Sequence, residues 1–537
     1  MEKIFPDEKP TLKALTGSTM LMNEVFSFQA AYMWSGSLLD DVEISVVSGL
    51  GDAVSVRKTG LVPAQMPCYK ERDGHELRIF PGLFPDPLLP VDENRIVLLP
   101  DQWRSIWITI EPNGRFSKGV YPVSLSFFSK TKGDLGSAVF SIKILPHKLP
   151  EQTIKHTEWF HTDCIATHYG VEIFSEKHWE LIDRYMQTAA ANGINMVLTP
   201  LFTPPLDTSP GGERPTVQLV DVKRSRDSYS FGFDRLKRWI RLCDKNKIAF
   251  FEFSHLFTQW GARHAPKIMA LDNGVIIPIF GWETDARADA YRSFLSQFLP
   301  CLRSFIEEHH LEERCFFHVS DEPGINDLEA YTYAASILKE YLPGYPIIDA
   351  LSSYEFYSSG AVRTPIPAED HIDPFIENQV PDLWTYYCCG QYKVVPNRFL
   401  CMPSSKNRII GFLFFKYGIK GFLHWGYNFW YSRNSRHPAD PFCSTDGDCG
   451  FPAGDPFVVY PGKDGPIESL RLKVFNEALQ DLRACSLLAS YIGKEKVMDI
   501  IEEDLDTGLS FKCYPKDPNW IIKKREKINQ FIADICQ

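Results

Sequence analysis

Apolar and polar positions change rhythm once along the 537-residue chain, near residue 150. Before that point apolar residues come in short, roughly alternating runs, rich in β-branched and aromatic types and broken by Gly, Pro, Asn and Asp. That is the signature of half-buried strands. The runs predict strands at 26–34, 42–48, 53–61, 76–80, 95–99, 105–111, 120–128 and 138–145. Strands this short and this evenly spaced predict an antiparallel β-sandwich. A proline-marked linker, LPHKLPEQ at 145–152, closes the region.

Beyond it strand and helix alternate. Strands are predicted at 158–161, 195–198, 249–253, 315–322, 346–351, 372–378, 382–387 and 421–427. Helical spacing marks 175–191, 233–246, 285–309 with Pro300 inside, and 467–492. Behind 315–322, Asn326 and Glu329 have the spacing of a capping box. Eight β/α repeats predict a (β/α)8 TIM-type barrel ahead of a doubly wound sheet. The expected fold is thus multidomain α/β plus β: a sandwich over 1–150, a barrel over 151–492 and a small helical appendage over 493–537.

Composition narrows the partners. A formal net charge of −11 without a long Lys/Arg run argues against nucleic acid and anionic membrane surfaces. No run of about 18 apolar residues predicts a membrane span. The opening MEKIFPDEKP lacks the apolar core of a signal peptide. The 13 cysteines include no CxxC and read as free, buried thiols, with the adjacent Cys388 and Cys389 as core packing. Together these predict a cytoplasmic protein.

Barrel active sites sit at the C-terminal ends of the strands. Those ends supply His161 and Asp163, then His255 and Trp260, Asp321 and Glu322, Asp349, Asn378, Trp384 with Tyr386 and Tyr387, and finally His424, Trp425, Tyr427, Asn428 and Trp430. Carboxylates among many aromatics suit a sugar, whose C–H faces pack on rings and whose hydroxyls bond to Asp, Asn and His. HExxH, GxSxG and a P-loop are absent. A metal hydrolase built from His161, Asp163, His255 and Asp321 is the weaker reading, because these histidines lack ligand spacing. A non-catalytic glycan-binding protein is another reading of the aromatic rim. No cofactor is expected.

Several motifs, in order, carry a resemblance: FPDPLLP at 84–90, WITIEPNGRFSKGVYPVSLSF at 107–127, SDEPG at 320–324, WGYN at 425–428 and YPGKDGPIESLRL at 460–472. Over about residues 25–490 the chain resembles the family 123 glycoside hydrolases. The resemblance implies a sandwich before a (β/α)8 barrel, and an exo-acting, retaining β-N-acetylgalactosaminidase that works by substrate assistance. It implies Glu322 as acid/base, Asp321 as the group that stabilises the acetamido function, and a tyrosine on the acetamido oxygen, for which Tyr386 is the candidate and Tyr387 the alternative. Strand alternation points Glu322 inward, and a bend at Pro323–Gly324 would bring Asp321 round. Trp384, Trp425, Tyr427, Asn428, His161, Asp163, His255, Trp260 and Asp349 are the expected substrate contacts. Of these, Asp163, His255 and Asp349 could read the 4-hydroxyl.

Overall fold

The structure is a computed structural model that describes residues 2–535. The first region folds as two sheets. One has the order Gly17–Leu21, Gly133–Leu145, Gly119–Ser129, Leu39–Ser48, Arg95–Leu98, and the other Phe26–Met33, Trp103–Ile110, Val54–Ala64, Gly82–Pro90. Their apolar faces meet over Val42, Ile44, Ile106, Ile108, Val123, Leu125 and Ile142, as the alternating pattern requires. The expected strand at 76–80 does not form. Gly82–Pro90 takes its place and pairs with Arg57–Ala64. Its three prolines hide it from the pattern, and they are tolerated because it lies at the sheet's edge. Gly17–Leu21, also unforeseen, runs parallel to Ser141–Leu145 at the edge of the other sheet.

Eight parallel strands follow, numbered here β1 (Lys155–Glu158), β2 (Met196–Thr199), β3 (Phe250–Phe253), β4 (Cys315–Phe317), β5 (Ile348–Leu351), β6 (Thr364–Pro367), β7 (Trp384–Tyr386) and β8 (Gly421–His424). Six form one sheet in the order β4-β3-β2-β1-β8-β7, and β5 pairs with β6. Isolated parallel bridges join Phe317 to Ile347 and Ala368 to Tyr386. Helices Glu176–Ala191, Asp234–Lys245, Asp289–Glu308, Leu328–Tyr341 and Leu470–Ile492 turn their apolar faces onto these strands. Ser175 and Ser469 cap two of them by accepting N–H bonds from His178 and Leu472.

Four expectations change here. β1 ends at Glu158 instead of reaching His161, and β4 ends at Phe317 instead of Glu322. The segment 372–378 is not the sixth strand. Pro374 opens a short helix there, Asp373–Glu377, and the Asn378 side chain turns back to the Pro374 carbonyl at 2.7 Å. Asn326 is not a helix cap either. A 3-10 turn, Ile325–Asp327, precedes the helix, Asp327 pairs with Arg263 at 2.7 Å, and Glu329 binds Arg287 at 2.9 Å.

The C-terminal helix Pro518–Ile535 links the two regions, and Lys494–Glu502 packs against it and against Leu470–Ile492. Glu526 accepts bonds from the Thr19 amide (2.9 Å) and hydroxyl (2.7 Å), and Arg525 pairs with Glu24 (2.8 Å) and Asp481 (3.0 Å). The sandwich also meets the helix Leu470–Ile492 directly: Arg471 on that helix grips Asp86 at 2.8 and 3.0 Å. Among the described residues no helix is long and apolar enough to cross a membrane, and the described cysteines are free.

Candidate active site

The chain leaves β4 through His318, Val319, Ser320, Asp321 and Glu322, and ladder pairing is replaced by specific clamps. The Val319 amide bonds to both oxygens of Asp349 (3.1 and 3.2 Å), and the Glu322 amide to the Ala350 carbonyl (3.1 Å). From the other side the Phe257 amide reaches the Val319 carbonyl (3.2 Å), and the Trp260 amide the Asp321 carbonyl (2.8 Å). The bend falls on Glu322 itself, with φ +42°. A non-glycine residue held there stores local strain, a feature that gathers at functional sites. Strand alternation therefore does not decide where these side chains point; the clamps from β5 and from the loop after β3 do.

Asp321 and Glu322 both keep part of their surface open. Burial raises both carboxyls above their usual range, and repulsion from Glu322 adds to the rise of Asp321. The Tyr386 hydroxyl donates to Glu322 Oε1 at 2.6 Å and works the other way, favouring the carboxylate. The Cys388 thiol lies 3.9 Å from the same oxygen. Trp425, half-buried beside Phe429 and Phe451, donates its indole N–H to Asp455 Oδ2 at 2.9 Å. Burial pushes Asp207, whose charge acts on Asp321, up to about 6.

Beneath the pair lies a buried polar chain. Glu252 accepts from the Thr157 hydroxyl, from Trp159 Nε1 (2.7 Å) and from His318 Nε2 (2.6 Å). His318 Nδ1 meets Asp349 Oδ1 at 2.9 Å, and the Tyr331 hydroxyl donates to Asp349 Oδ2. Burial opposes a charge on His318, but the bonds to Asp349 and Glu252 outweigh it and push its pKa up to about 9. His255 stacks on His318 with centroids 4.2 Å apart, and burial holds it well below the usual imidazole range.

The expected contacts thus separate. Asp321, Glu322 and Tyr386 come together, Trp425 packs on the apolar cluster that holds Tyr386, and His255 and Asp349 both lie against His318. Asp349 is fully buried and spent on His318, Tyr331 and Val319, so it does not read a sugar hydroxyl. Trp260 stands in the loop that holds Asp321, 47 % exposed. The others serve the scaffold. Trp384 is buried against Phe316 beneath the rim, where Gly421 leaves room for its ring. Tyr427 stacks on Phe160 and donates to the Tyr185 carbonyl. Asn428 binds the backbone of His161 at 2.8 and 3.0 Å. Asp163 takes a bidentate pair from buried Arg214 (2.8 and 2.9 Å), which also meets His161 Nδ1 at 3.1 Å. Burial and the Arg214 charge push His161 down to about 3.

Glu252, Asp207, Asp455 and the role of His318 were missed. Glu252 had a visible signal, a charge inside the apolar run FFEF. Asp207 and Asp455 lie in loops without pattern. His161, Asp163, His255 and Asp321 do not gather as a metal site. His255, His318 and Asp349 do lie close, with donor atoms within 4.8 Å of one another. However, both His318 nitrogens are engaged, and the stacked rings do not converge on one point.

A search of curated proteins finds no match. Among solved structures, a family 123 glycoside hydrolase from Clostridium perfringens, studied for glycolipid glycan hydrolysis, superposes with a TM-score of 0.74 at 16% identity, over 96% of this chain and 93% of that one. A family 2 glycosyl hydrolase from Bacteroides cellulosilyticus (TM-score 0.28, 10% identity, 77% and 46% coverage) and an endo-β-1,4-mannanase from Thermotoga petrophila (0.35, 13%, 62% and 76%) are too distant to fix the fold. The family model for the glycoside hydrolase 123 catalytic domain matches residues 159–488, from the end of β1 into the helix Leu470–Ile492. The chain belongs to glycoside hydrolase family 123.

Proposed function

We propose that this glycoside hydrolase removes a terminal β-linked N-acetylhexosamine, N-acetylgalactosamine in preference to its gluco epimer, by substrate-assisted catalysis with retention. The observation that carries the reading is the contiguity of Asp321 and Glu322 on one clamped turn. A retaining enzyme with a protein nucleophile sets its two carboxyls about 5 Å apart on opposite faces of the sugar. Neighbours on one turn are poorly placed for that. Asp321 is better placed beside the 2-substituent, where it orients the acetamido group so that its carbonyl oxygen attacks the anomeric carbon.

The protonation pattern follows from the pair's chemistry. Two adjacent buried carboxyls favour holding one proton between them. With Tyr386 donating to Glu322, Asp321 is under the greater pressure to take it. An acetamido N–H donated to Asp321 reverses that balance and leaves the proton on Glu322. There it protonates the leaving oxygen, and Glu322 then serves as base toward water. Once Glu322 carries the proton it no longer needs the Tyr386 hydroxyl as a donor, and that hydroxyl can turn to donate to the acetamido oxygen. Trp425 and Trp260 offer ring faces to the sugar. The eight parallel strands and their two bridges are read as one (β/α)8 ring, with the site at its C-terminal end.

The test is turnover of aryl β-N-acetylgalactosaminide and its gluco epimer, with the first-formed anomer read by NMR. Retention is expected, and Glu322→Gln and Asp321→Asn should each lower kcat/KM by about 10^2- to 10^4-fold without loss of fold. Glycan binding without turnover by the wild type would favour the binding reading. A sugar ester trapped on Asp207 or Asp455 would overturn substrate assistance.

A further inference from the structure

His318 takes no part in the scheme above, yet it is the most tightly held polar side chain beneath the pair. It is buried, and each ring nitrogen faces a carboxylate oxygen, Glu252 at 2.6 Å and Asp349 at 2.9 Å. A carboxylate only accepts, so a ring with a single N–H would leave one of these contacts as lone pair against lone pair. With both acids ionised, both contacts are satisfied only if both nitrogens carry hydrogen. The remaining capacity of the two carboxylates is filled by neutral donors, Thr157 and Trp159 on Glu252, Tyr331 and the Val319 amide on Asp349, and on Asp349 these donors work against the upward push of burial and favour the ionised acid. Among the described residues His318 is thus the one cation directly bonded to either acid.

The same geometry connects the ring to the reacting turn. Asp349, oriented by His318, holds the Val319 amide through both oxygens, and the next residue of β5, Ala350, holds the Glu322 amide. The stretch from 319 to 322 is therefore fastened to β5 at both ends, and His318 fixes one fastening. The strongest charge effects on Asp321 come from Glu322, His318, Asp349 and Asp207, and of these four only His318 favours its ionised form. The other imidazole, His255, stacks on His318, and burial favours its neutral form.

We propose that His318 is a positioning residue of the reaction: a permanent imidazolium, gripped by Glu252 and Asp349, that pins the 319–322 turn to β5 and favours the ionised form of Asp321. Removing the cation takes away that support against the neighbouring acids, so a higher pH is needed to ionise Asp321. The inference rests on the proposed role of Asp321, and its test has arms that do not.

The first arm is 15N NMR of the His318 ring in the full chain, assigned by difference with His318→Gln. Both nitrogens are expected to be protonated at pH 7.5, and a neutral ring would overturn the proposal. In Glu252→Gln the ring should lose its second proton at a lower pH than in wild type; an unchanged titration would refute the clamp. Neither reading requires turnover, so an inactive wild type would sink the proposed function while this arm still decides the clamp. The second arm is the pH profile of kcat/KM on aryl N-acetylgalactosaminide. In His318→Gln the acid limb should move up by about one pH unit, so that the loss at pH 5 exceeds that at pH 8 by about tenfold. KM on the alkaline plateau should stay within about threefold. The same fractional loss at every pH would show a merely structural role and contradict the proposal. If His318→Gln does not fold, wild-type and Glu252→Gln spectra still decide, with the ring resonance assigned in the wild type.

Discussion

Tyr386 and Glu322 share the shortest contact at the mouth of the site, 2.6 Å from phenol oxygen to carboxylate. A hydrogen bond to a charged partner contributes about 1.5–3 kcal/mol, and here it favours the ionised form of Glu322. Tyr386→Phe should therefore raise the Glu322 pKa further. The alkaline limb of kcat/KM, where the acid is lost, should move to higher pH, with kcat falling about 10- to 100-fold. A limb that stays in place would mean that the tyrosine acts on the substrate alone. Glu322 also occupies the left-handed region at φ +42°, as does Trp260 in the facing loop at +57°. Strain on both sides of the site is the pattern expected where geometry is fixed for chemistry.

At the scale of elements, β7 and β8 show how the strand ends are held at the right height. Trp384 opens β7 and fills the space above Gly421, the first residue of β8; a Cβ at that glycine would come within 1.9 Å of the indole. Gly421→Ala should destabilise by about 1–3 kcal/mol through overpacking. Trp384→Leu in the same chain should recover part of the loss, so that the pair departs from additivity in a denaturation cycle. Additive losses would show that the two do not share the space. Trp384 also marks the limit of what the chain discloses by pattern. A tryptophan near a strand's end looks like a sugar platform, but three residues decide between rim and core, and only register settles that. Strands with apolar runs, such as β2, β3 and β8, were legible. β6 and Gly82–Pro90 were not, because proline masks strand character at edges. The Asp321–Glu322 pair was legible because charge after a buried strand is conspicuous. The layer beneath it was not, since Glu252, His318 and Asp349 meet only when three separate strands come side by side.

Across the whole molecule the sandwich and the parallel strands are bound by buried charge as well as apolar surface. Arg471 pairs with Asp86 and also donates to the carbonyls of Gly454 and Phe457. Arg471→Met would leave Asp86 buried with the Tyr460 hydroxyl as its donor and no bonded cation, a loss of about 3–5 kcal/mol. We propose that the two regions unfold together, so this variant should show one transition at a lower temperature; a separate sandwich transition would show independent units. In the proposed mechanism the substrate supplies its own nucleophile while Asp321 and Glu322 guide it. The comparison that bears on it most closely is kcat/KM for two aryl β-galactosides that differ only at C2, one bearing acetamido and the other hydroxyl. Turnover of the acetamido sugar is expected, and none of the hydroxyl sugar above background. Comparable rates on both would contradict it.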